Sequence, residues 1–127
     1  MEQLELLRAA MAVAVADGDL RRSEKGVLRG LADRVGVGAA TFDAMVEAAE
    51  QDPDFIDGIM LTSKESAPFC IELLVAQARI DGEISEKERE VIVRIAAIVD
   101  VSGDEFQRAY EAGIRRADKI RKRRSDL

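Results

Sequence analysis

Four acidic residues in two matching stretches have the types and spacing to do chemistry. Asp17 and Glu24 stand in Asp17-Gly18-Asp19-Leu20-Arg21-Arg22-Ser23-Glu24, and Asp81 and Glu88 stand in Asp81-Gly82-Glu83-Ile84-Ser85-Glu86-Lys87-Glu88. Carboxylates brought close together repel unless a proton or cation neutralises them. If the two turns meet, Asp17, Glu24, Asp81 and Glu88 are the natural ligands of one shared divalent cation, with Asp19 and Glu83 at its rim. An all-oxygen set selects a hard ion such as Ca²⁺, Mg²⁺ or Mn²⁺. The motif matches only the later half of a calcium-binding EF-hand loop. The two leading ligand positions fall on Val13 and Val15 in one copy and on Gln77 and Arg79 in the other, so a standard EF-hand is not expected.

The same residues have a purely structural reading. Gly reverses the chain, and Asp accepts hydrogen bonds from backbone N–H groups of the turn. Glu lies in the first turn of the next helix, where negative charge is favoured. Ser85-x-x-Glu88 is also a capping box, whereas Arg21 stands in the place of Ser85 in the first copy.

Other chemistries have little to build on. The chain has no histidine and a single cysteine, Cys70. Imidazole acid–base catalysis, internal disulfides and cysteine-cluster zinc sites are therefore excluded. Cys70 sits in an apolar run and is expected as a buried core thiol. The pairs Glu86/Glu90 and Asp100/Asp104 read as exposed helical carboxylates. No nucleotide-binding glycine loop and no Ser/His/Asp set occurs, so no enzyme activity is expected. Charge is divided unevenly: residues 115–127 hold seven bases and two acids, while the rest carries a net of −11 in a chain of net −6. An acidic body with a basic end lacking aromatic residues argues against sequence-specific nucleic-acid recognition. No stretch reaches the length of a transmembrane segment and no secretory signal is visible, so a cytoplasmic location is expected.

The two turns belong to a longer repeat. Pairing residues 9–48 with 73–112 at an offset of 64 gives 12 identities in 40, without a gap. Apolar residues at three- and four-residue spacings predict helices over about 3–16, 22–36 and 39–50, and again from about 67, 86 and 103, with Val27 and Ile98 among the core-facing stripes of the second and fifth. Pro53 is expected to open a further short helix to about Met60. The central helix after Ser66 is apolar on most sides. Ser102-x-x-Glu105 predicts a second capping box, and the last helix is expected to run to about Arg124. The fold class is all-α, with about seven helices in two related helix-turn-helix halves. Residues 1–114 are expected to form one domain, with halves 9–48 and 73–112 and an insert at 49–72. Residues 115–127 form a basic C-terminal tail that continues the last helix.

Two Asp-Gly turns, each after an Ala-rich helix, resemble the tellurite-resistance TerB family and its relatives. Met11-Ala12-Val13-Ala14-Val15-Ala16-Asp17-Gly18 with Glu24-Lys25 is similar to the family's first repeat, and Ala78–Glu88 to its second. The resemblance spans about residues 4–112. It implies a compact helical domain with two related halves, linked to tellurite resistance and stress responses. It also implies a divalent-cation role for Asp17, Glu24, Asp81 and Glu88. The functional expectation is thus a non-enzymatic module with a divalent cation at the paired turns. The alternative is a metal-free protein–protein interaction module using helix faces or the basic tail. Contact of residues 115–124 with an acidic surface fits either reading.

Overall fold

The computed structural model describes residues 2–16, 22–52, 54–56, 65–80 and 82–125, without the side chains of residues 2, 3, 22–24, 124 and 125. These residues form six α-helices: α1 (Glu2–Ala14), α2 (Arg22–Arg34), α3 (Ala39–Gln51), α4 (Ala67–Ile80), α5 (Glu86–Ile98) and α6 (Gly103–Ser125). The short helix expected from Pro53 lies largely outside the described residues, and residues 54–56 form a turn.

Two helices make the centre. On α1, Leu7 and the run Ala9–Val13 are all buried, so small Ala residues let neighbours close around nearly the whole helix. On α4, Ala67, Ile71, Leu74, Val75 and Ala76 are buried. Helix α1 packs on α2, α3, α4 and α5, and α4 packs on α1, α5 and α6. Leu28, Phe42, Ile92 and Ala109 bring α2, α3, α5 and α6 into one core. Arg8 ties the 54–56 turn to α1 through a 3.1 Å hydrogen bond to the Phe55 carbonyl, and its guanidinium lies 5.2 Å from the Phe55 ring centroid.

The sequence repeat is matched in local backbone. Helices α2 and α5 start 64 residues apart, at 22 and 86, as do α3 and α6, at 39 and 103. Helix α2 ends at left-handed Gly36 (φ +81°), and α5 ends the same way at Asp100 (φ +63°). The next residue donates back in each case, Val37 N–H to the Ala32 carbonyl at 2.9 Å and Val101 N–H to the Ala96 carbonyl at 2.8 Å. This is the Schellman closure that satisfies the last carbonyls of a helix.

The packing of the halves is not equivalent. A true internal twofold would seat α3 on α1 as α6 sits on α4, yet the α4–α6 contact is far more extensive. Gly113 explains the close approach. A Cβ there would lie 2.6 Å from the Glu72 carbonyl oxygen and 2.6 Å from Val75 Cβ. At the same offset of 64, one position beyond the repeat, stands Ala49, which already carries that Cβ.

Three local expectations change. Val27 and Ile98, expected in the core, are 42% and 40% exposed. Cys70 is half-buried on the flank of α4, not sealed in the core. No side-chain hydrogen bond closes a capping box at Ser102 and Glu105. Gly103, between them at the helix start, has φ +57°, which departs from the helical value of the first position in such a box.

Candidate functional site: the second turn and the α4–α6 face

The second turn is built by its ends. Gly82, at φ +141°, donates its N–H to the Arg79 carbonyl at 3.0 Å and so closes α4. Ile84 is half-buried against the core. Ser85 then starts α5 with a full capping box: its hydroxyl accepts from Glu88 N–H at 3.1 Å, and its own N–H donates to Glu88 Oε1 at 3.0 Å. Arg79 Nη1 lies 2.6 Å from Glu83 Oε1, and Arg79 Nε lies 3.5 Å from Asp118 Oδ1 on α6. The Glu83 hydrogen bond and the two negative charges raise the Arg79 pKa above its already high value, against a smaller opposing effect of desolvation. Arg79 therefore stays protonated throughout the working pH range.

Asp17 and Asp81 lie outside the described residues, as does the side chain of Glu24. Glu88 is described, and its position corrects the cation expectation. It is 8% exposed, its carboxylate caps the helix, and it borders a cavity of about 10 Å³ shared with Ala10, Val13, Ala14, Leu74, Gln77 and Ala78. That space is about one water in size. Among the described residues no group of three or more His, Cys, Asp or Glu side chains is placed to hold a metal ion. A Ca²⁺ or Mg²⁺ ion needs about six oxygen ligands, and the neighbours of Glu88 in this cavity are mostly apolar. The described geometry does not support Ca²⁺, Mg²⁺ or Mn²⁺ as a cofactor.

The other concentration of functional groups lies between α4 and α6. The two helices run parallel, since Gly113 meets Glu72 and Val75 while Asp118 meets Arg79. Ala109, Gly113 and Ala117 recur every fourth residue on α6 and are all buried, letting the backbones approach. Outside this seam, Arg116 Nη2 binds Glu72 Oε2 at 2.7 Å, and its guanidinium lies 5.2 Å from the Phe69 ring centroid. Phe69 is nevertheless 49% exposed. Arg115, Lys119 and Arg123 follow at four-residue spacing, and none makes an ion pair within the described residues. Two open concavities of about 420 and 560 Å³ share Glu72, Ala112 and Arg115 and form one groove. Bases gather at one end. Glu105 and Glu111 stand at the other, with Arg108 among them.

The sequence singled out the basic end of this face, residues 115–124, as a contact for an acidic surface, but not the groove or Phe69. The groove's readable signal was Ala109-x-x-x-Gly113-x-x-x-Ala117, the small-residue spacing that brings helices close. The exposure of Phe69 had no such signal, because it depends on where α6 stops covering α4.

The family described as tellurite resistance protein TerB matches residues 1–48, well under half of the chain. That segment contains α1, α2 and most of α3; the second turn and α4–α6 lie beyond it. No curated protein matches the chain. No solved structure matches it either. No helix of the described residues is long and apolar enough to cross a membrane.

Proposed function

We infer that this chain is a non-catalytic, TerB-like interaction module of the stress-response type, metal-free in its action, which meets a protein partner through the α4–α6 face. Residues 1–114 form the module and residues 115–127 its basic extension. The observation that carries this reading is the groove itself: a half-exposed Phe69 beside a row of cations that have no ion pair within the described residues. An exposed aromatic with arginines around it, which a partner would desolvate on covering it, is the chemistry of interface hot spots. The match to the tellurite-resistance family over residues 1–48 supports the module type; the face lies outside it and belongs to this chain's own second half.

A photo-crosslinking amino acid placed at position 108 in the living source cell tests the reading. One discrete adduct, identified by mass spectrometry and lost in a Lys119→Glu/Arg123→Glu chain, is expected. The same probe at position 27, on exposed α2, should give no such adduct. Equal adducts at both positions, or none at 108, would remove the α4–α6 face as the contact surface.

A further inference from the structure

Resting on that reading, we propose that the α4–α6 groove receives a short amphipathic acidic helix. Its apolar side chains lie on the Phe69–Ala112 floor, and its carboxylates face Arg115, Lys119 and Arg123. Three observations select this occupant. The first is spacing. Arg115, Lys119 and Arg123 are four residues apart on one helix, which sets their attachment points about 6 Å apart. Like charges at this spacing destabilise a helix, and Glu72 is engaged by Arg116 rather than by these three. Carboxylates four residues apart on a second helix repeat the same interval.

The second observation is that the groove is not uniformly basic. Glu105 and Glu111 border its other end. A nucleic-acid backbone laid along the whole groove would run over those carboxylates, in a chain of net charge −6. A peptide helix can be acidic at one end only.

The third is the floor. Pro68, Phe69, Ala109 and Ala112 give apolar surface between the charged ends, which phosphates leave unused and leucine-type side chains cover. An anionic bilayer is disfavoured by the basic end, where Ile120 is the sole large apolar residue bordering the groove among the described residues. From Glu105 to Arg123 the groove follows α6 for about 27 Å, the length of a helix of about 18 residues.

The probe is a fluorescein-labelled synthetic helix of about that length, with Leu along one face and Glu at successive four-residue spacings near one end. Its binding to the full chain is read by anisotropy at low salt. Saturable binding is expected. Lys119→Glu/Arg123→Glu should weaken it by about tenfold or more, and Phe69→Ala by a similar factor. Val93→Ala, on the exposed face of α5, should leave it unchanged. A peptide with Lys for every Glu should not bind. Circular dichroism confirms that each variant is folded. A single-stranded oligodeoxynucleotide or anionic vesicles binding as tightly as the peptide would overturn the proposal. So would a Phe69→Ala chain that binds undiminished, or no saturation up to about 1 mM peptide. If the peptide fails while the position-108 adduct persists in cells, the interface stands and the acidic-helix occupant falls. If both fail, the interaction reading falls with it.

Discussion

The joint between α2 and α3 and the joint between α5 and α6 share their helix-end closure and differ where the next helix starts, at Ala39 and at left-handed Gly103 (φ +57°). Both helices close at a left-handed residue, Gly36 or Asp100, followed by a valine that donates to a carbonyl five residues back. The helices they deliver then behave differently. Helix α3 has 13 residues and a modest contact with α1. Helix α6 has 23 residues, packs tightly along α4, and ends in bases. A joint depends on a few adjacent residues, so a repeat preserves it easily. A helix–helix seam depends on side-chain volume at positions far apart, and one glycine, Gly113, reshapes it.

The seam itself is the place to break that contrast hardest. Gly113→Leu drives side-chain atoms into the Glu72 carbonyl and Val75, and a backbone oxygen cannot swing away. A loss of about 3 kcal/mol is expected in urea unfolding. Ala49→Leu, at the same offset of 64, is expected to cost less than about half as much. Equal losses would mean that α3 and α6 are seated alike after all.

The shared core gives the opposite test. Leu28 and Ile92 occupy the same repeat position and both are fully buried. Truncating either to Ala should cost about 3 kcal/mol, with the two values within about 1 kcal/mol of each other. A large gap between their unfolding midpoints would show that the halves differ in the core as well as at the seam.

The joints give the smallest effects. Gly36→Ala forces a side chain into the left-handed conformation and is expected to cost about 1 kcal/mol. Asp100→Gly relieves that conformation and should gain about 0.5 kcal/mol, less whatever the Asp100 side chain contributes. Thermal unfolding of the two variants, with shifts of opposite sign, checks whether the two joints are equivalent.

The starts of the six helices were legible to within one residue, and α1 and α2 end two residues before the expected points. Gly36 and the Ser85–Glu88 box act within a turn of chain, where local hydrogen bonding decides the outcome. The apolar stripes of α1, α4 and α5 were legible for the same reason, since they are periodic. Val27 and Ile98 fit that period but fall at the edges of their stripes, and the neighbouring helices do not reach them.

The candidate site was harder to read. Asp17, Glu24, Asp81 and Glu88 recur in sequence, but recurrence carries no distance between the two copies. The structure shows the carboxylate of Glu88 turned to its own helix cap beside a cavity about one water in size. The α4–α6 groove was hidden for a related reason: Phe69 and Lys119 lie 50 residues apart along the chain. Sequence alone determined the helices, their end closures and the capped start of α5, because each follows from neighbours within a few residues; the uneven charge is composition read directly. Only the tertiary structure decided that α6 lies close on α4, leaves Phe69 uncovered and lines a groove with cations. Those outcomes depend on which distant surfaces fit, and here a missing Cβ at Gly113 sets the fit.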